Sequence, residues 1–105
     1  MKLYFYELST DERYGKVGII VQIYEVEEKP KTYKSADKVF PNGLITVKKD
    51  EEGQILRFNC LFLTEPNFEY VKEKFKKREE SRIAQTKRIL EREEKELKII
   101  EESEV

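Results

Sequence analysis

Arg57 and Asn59 are the first residues in this chain whose types and spacing suggest chemistry. They stand two apart in the apolar run 55–63, where a strand would aim both side chains the same way. Leu61 and Leu63 share that expected face, so a helix or a second subunit must cover part of it. Arg57 and Asn59 then fall at the rim of a concave joint, the arrangement a small ligand requires. The bland alternative is a solvated outer face. A second group lies downstream, where Arg78, Arg82 and Arg88 follow Asn67, Phe68 and Tyr70. Guanidinium groups grip phosphate through paired donors, and an aromatic ring can stack on a base. A Lys/Arg run on a helix is more often simply a wet face. Tyr14 and Tyr33 fall in expected loops and are further contact candidates.

Catalysis finds little support. The sequence has no histidine, which removes the commonest general base and the commonest zinc ligand. Cys60, the single cysteine, sits between Phe58 and Phe62 on an apolar alternation and reads as an inert core thiol. It leaves no intrachain disulfide and fits a reducing, cytoplasmic setting. No glycine-rich phosphate loop and no metal-ligand spacing stand out, so neither a cofactor nor a metal is expected. The opening MKLYFYEL meets charge too soon for a signal peptide, and no apolar run approaches membrane-spanning length.

The elements that must position these residues divide the chain in two. Residues 1–64 read as an antiparallel β-meander joined by hairpins. Leu3 and Phe5 alternate with Tyr4, Tyr6 and Leu8, and residues 17–27 alternate with one face wholly β-branched. Residues 9–15 are turn chemistry, 32–38 a weak edge segment, Asn42-Gly43 a tight turn and 44–48 a short strand. Thr64-Glu65-Pro66 then signals a helix start, with a capping hydroxyl and a proline that needs no amide donor. From Pro66 to Glu102 neither glycine nor another proline interrupts a Lys/Glu-rich stretch, and residues 103–105 read as a disordered tail.

A helix over 65–102, roughly 50 Å long at about 1.5 Å per residue, outruns what a 64-residue sheet domain can shelter. Phe68, Val71 and Phe75 are expected on the sheet. Ile83, Leu90 and Leu97 recur at seven-residue steps with Ile100 three further on, a seam for another helix. Total charge is −1, with 21 basic and 22 acidic residues, but it is unevenly spread. Residues 72–88 hold eight Lys/Arg against three Glu, and residues 89–105 hold three against seven. An antiparallel partner would bring unlike charges together. The near-neutral total disfavours general nucleic-acid coating.

The expected fold class is therefore α+β: an antiparallel meander packed on a long C-terminal helix that mediates oligomerisation, with a helix break near 79–81 as the alternative. The layout, a tyrosine-rich meander containing VEEKPKTYK followed by TEPNFEYVKEKFKKREE, resembles small accessory proteins of phages and prophages of low-GC Gram-positive bacteria. In plan it is similar to the Thoeris anti-defence nucleotide sponges. That resemblance implies a homo-oligomer that sequesters a cyclic ADP-ribose-type signal between subunits without cleaving it. Its plan carries over no site residue; the ligand-binding candidates Arg57, Asn59, Asn67, Tyr70, Arg78 and Arg82 come from the reading above. The alternative function is a protein-binding inhibitor or adaptor, comparable to anti-CRISPR proteins in size and charge, acting on a host protein through the helix or a sheet edge.

Overall fold

The structure is a computed structural model, and it describes residues 1–10 and 18–103. The turn expected over 9–15, with Tyr14, and the start of the second strand at Val17 fall largely outside those residues, as do Glu104 and Val105 of the expected tail. The chain divides into two units, residues 1–75 and 76–105.

The first unit is built on five strands: β1 (Lys2–Ser9), β2 (Gly18–Glu28), β3 (Thr32–Ser35), β4 (Thr46–Lys48) and β5 (Cys60–Leu63). All pair antiparallel in the order β4-β3-β2-β1-β5. The first four strands form the expected meander. β5 departs from it, leaving β4 and crossing back to the other side of β1, with Phe5 opposite Phe62 and Tyr6 opposite Leu61. The segment 32–38 is likewise not an edge, because β3 lies between β2 and β4.

The sheet curls. In a flat sheet β3 and β5 would lie about 14 Å apart, three strand spacings. Yet the Tyr33 and Phe62 ring centroids are 6.3 Å apart and meet edge to face. Curling gives the inner face a closed core of Leu3, Phe5, Tyr24, Val26, Tyr33, Phe40, Val47, Cys60 and Phe62. Phe40 stacks on Phe5 at 4.6 Å, an offset aromatic contact of the kind that adds to area burial. The Asn42-Gly43 turn makes this possible. Gly43 takes a φ of 83° and donates its N–H to the Phe40 carbonyl, while Asn42 Oδ1 accepts from Leu44 N–H.

The outer face carries a second cluster: Tyr6, Leu61, Leu63, Val71 and Phe75, flanked by Tyr4, Leu8, Ile19 and Ile55. Leu61 and Leu63 are indeed covered by a helix, as their alternation with Cys60 and Phe62 required. That helix, α1, runs unbroken from Phe68 to Glu102, so no interruption occurs at 79–81. Val71 and Phe75, four residues apart, are its buried residues. Burying a side chain of this kind stabilises by about 1.5–3 kcal/mol. Phe68 does not join them; it is half exposed. Among the described residues, no helix is long and apolar enough to cross a membrane.

Candidate functional site

The helix start differs from its sequence signature. Asn67, not Thr64, is the cap: its Oδ1 accepts the Tyr70 N–H at 3.1 Å, three residues on. Thr64 instead turns back to the acidic turn, its N–H and hydroxyl both donating to Glu52 Oε2 at 3.0 Å. Asn67 N–H donates to the Tyr6 hydroxyl at 3.2 Å, and the Tyr70 hydroxyl donates to the Gly53 carbonyl at 2.9 Å. Gly53 in turn donates its N–H to the Phe62 carbonyl at 3.0 Å. These bonds tie the first turn of α1 to Tyr6 of β1 and to the segment after the one-turn 3₁₀ helix Lys49–Glu51, which is itself bonded to Phe62 of β5.

An open cleft of about 520 Å³ lies there, lined by Glu52, Gly53, Thr64, Glu65, Asn67 and Tyr70 among others. Two of the candidate ligand residues, Asn67 and Tyr70, are thus brought together. Asn67 Oδ1 and the Tyr70 hydroxyl are already engaged, however, one capping the helix and the other holding Gly53. The two carboxylates on the walls oppose a phosphate rather than attract it.

Arg57 and Asn59 are not side by side on a strand. The strand begins only at Cys60, and residues 57–59 form a tight turn closed by the Leu56 N–H bond to the Cys60 carbonyl. Phe58 and Asn59 have φ of 62° and 55°, so both sit in the left-handed region. Asparagine tolerates that conformation, but phenylalanine is strained in it. The alternation read from the sequence fails because two consecutive left-handed residues reverse the chain. Phe58, expected in the core beside Cys60, is 60% exposed, and the Arg57 guanidinium lies over its ring at 5.1 Å.

Arg78 and Arg82 belong to the second unit and share one carboxylate. Arg78 Nη2 lies 2.9 Å and Arg82 Nη1 3.5 Å from Glu79 Oε1. In the same unit Ile83, Leu90, Leu97 and Ile100 are 55%, 54%, 55% and 69% exposed, an apolar seam uncovered within the single chain.

Cys60 is fully buried, and burial, aided by the charge of Glu7, pushes its thiol up to about 11. Its Sγ donates to the Arg57 carbonyl at 3.2 Å, so it acts as a packed donor closing the turn. The features that sequence reasoning missed are Glu52, Gly53 and the exposed Phe58. Gly53 in an acidic turn was a signal of a left-handed turn, and its φ is 79°. Nothing local marked Glu52 as the acceptor for Thr64.

No family model, curated protein or solved structure matches the chain.

Proposed function

We propose that this is a non-catalytic binding protein that works as a homo-oligomer, α1 pairing antiparallel with the α1 of a second copy. The carrying observation is the seam: four apolar side chains at positions 83, 90, 97 and 100, each more than half exposed. Water-exposed apolar side chains at heptad spacing gain by inserting between those of a facing helix. The basic 72–88 and acidic 89–105 stretches favour the antiparallel sense, since a parallel pair would set like charges along the seam. A buried, weakly acidic Cys60 and the lack of any histidine support a role in binding rather than turnover.

Sedimentation equilibrium tests this reading. The wild-type chain is expected at a multiple of its 12.6 kDa mass, and Leu90→Lys with Leu97→Lys at a smaller multiple. A wild-type single chain with an unchanged double variant sinks it.

Sequestration of a phosphate-bearing nucleotide is the second reading. Its favouring observation is the exposed Phe58 ring with the Arg57 guanidinium over it, a stacking surface beside a phosphate-binding group. Calorimetric titration with cyclic and linear adenine nucleotides, repeated on Arg57→Ala, checks it; heat unchanged by the substitution excludes this turn.

A further inference from the structure

The second strand carries an interface of its own. β2 is eleven residues long, but β3 pairs only with its last part, Val26 to Glu28. The Ala36 N–H bond to the Glu25 carbonyl at 3.1 Å is the last backbone hydrogen bond on that side among the described residues. Beyond it Lys38 N–H donates to Ser35 Oγ, and Ala36, Asp37 and Lys38 line a cleft with Ile23, Tyr24 and Glu25 without further pairing to the strand. Among the described residues no strand pairs with that edge from Gly18 to Tyr24.

The register shows which groups face the open edge. Val26 N–H bonds to the Met1 carbonyl, so Val26 points its backbone toward β1. Antiparallel pairing alternates strictly, and Tyr24, Gln22, Ile20 and Gly18 therefore point the same way. Ile19, Val21 and Ile23 present their N–H and C=O outward, as Glu25 does where Ala36 meets it. Val21 and Ile23 are also 51% and 59% exposed on the outer sheet face, opposite Tyr6 and Tyr4. Val71 and Phe75 cluster with Leu61, Leu63 and Tyr6, leaving these two β2 side chains outside the cluster.

Edges are ordinarily guarded by lysine, proline, a bulge or inward charge. Residues 18–24 (GIIVQIY) hold no charge and no proline. A neutral, β-branched, unpaired edge is self-complementary: turned end for end against itself, it sets no like charges opposite one another.

We propose, beyond the helix pairing above, that β2 pairs antiparallel with the β2 of a second copy. A two-fold axis beside Val21 sets Val21 against the partner's Val21 and Ile19 against the partner's Ile23. Every outward N–H then finds a carbonyl, and the two sheets become one continuous antiparallel sheet.

The test is sedimentation equilibrium on the full chain over a range of concentrations. It compares wild type, Val21→Lys with Ile23→Lys, Val21→Pro and Leu90→Lys with Leu97→Lys. Proline at 21 removes an outward N–H and leaves the β1 ladder intact, so it is compatible with the fold. The β2 variants, folded by circular dichroism, are expected at half the wild-type mass. The helix variant should lose its own contact independently. Residue-resolved amide exchange of wild type provides a readout free of substitutions: Ile19, Val21 and Ile23 should slow several-fold as concentration rises. Unchanged mass in both β2 variants, or fast exchange of those three amides at every concentration, overturns the proposal. A mass that falls in the β2 variants but not in the helix variant upholds this edge and removes the helix pairing instead.

Discussion

The Tyr70 hydroxyl donates to the Gly53 carbonyl at 2.9 Å, and the ring lies so close that a methyl group on Gly53 would meet the hydroxyl at 2.8 Å. This one contact fastens the first turn of α1 to the end of the acidic turn, and it explains why position 53 holds glycine. The same residue needs a positive φ, so two independent constraints converge on it.

Gly53→Ala is expected to destabilise by about 1–2 kcal/mol or more, combining a left-handed alanine with the displaced ring. Tyr70→Phe should cost only about 0.5–1.5 kcal/mol, the net worth of one hydrogen bond. Because the phenylalanine variant removes the atom in the way, Gly53→Ala should cost less in that background. Urea midpoints of the four chains measure the coupling, and strict additivity contradicts the contact.

Asn67→Ala should destabilise by about 1 kcal/mol through loss of the cap on Tyr70 N–H. Thr64→Val should leave the onset of the helix at Phe68 unaltered, since its hydroxyl serves Glu52. Carbon chemical shifts across residues 64–72 distinguish the two. A helix that frays in the Thr64 variant and not in the Asn67 variant would restore the cap to Thr64.

Stability should fall in alkali. Burial raises the Tyr24 hydroxyl above its ordinary 10.0, with lesser help from Glu7 and Cys60, and lifts the Cys60 thiol from 9.0 to about 11. The unfolded chain therefore releases these protons first, and between those values it binds fewer protons than the folded one. The stabilisation from Cys60 is complete below pH 9 and lost as pH rises toward 11. Denaturant midpoints followed through that window should drop more steeply for wild type than for Cys60→Ala. Parallel curves refute the assignment.

Phe58→Gly should raise the midpoint. It releases a left-handed phenylalanine, worth about 1–2 kcal/mol, and gives up a 5.1 Å contact with Arg57 worth about 0.5–1 kcal/mol at an exposed site. The flexibility of glycine in the unfolded chain takes back part of the gain. Asn59→Gly should gain less, because asparagine already accommodates its φ. Thermal unfolding of the two variants decides it, and a lower Tm for Phe58→Gly shows that the exposed ring stabilises the turn.

Period-two and heptad patterns were legible without a structure because they depend only on neighbours along the chain. Leu3 and Phe5 against Tyr4, Tyr6 and Leu8, the Asn42-Gly43 turn, the long Lys/Glu helix and the buried pair Val71 and Phe75 all follow from such spacing. The candidate site was less legible. Asn67 and Tyr70 lie together as the helix start dictates, while Arg57 and Asn59 share no strand face because two consecutive left-handed residues break the alternation there.

What only the tertiary structure decided is which strands are neighbours and which are left without one. β5 returns to pair with β1, and the curled sheet brings Phe62 to Tyr33, a contact between residues 29 positions apart that no local period encodes. With β3 pairing only from Val26 onward, the first part of β2 has no second strand beside it among the described residues. Its run of isoleucine and valine was plain to read in sequence. That no described strand pairs along its outer edge was not, since hydrogen-bond partners across a sheet are chosen by the fold as a whole.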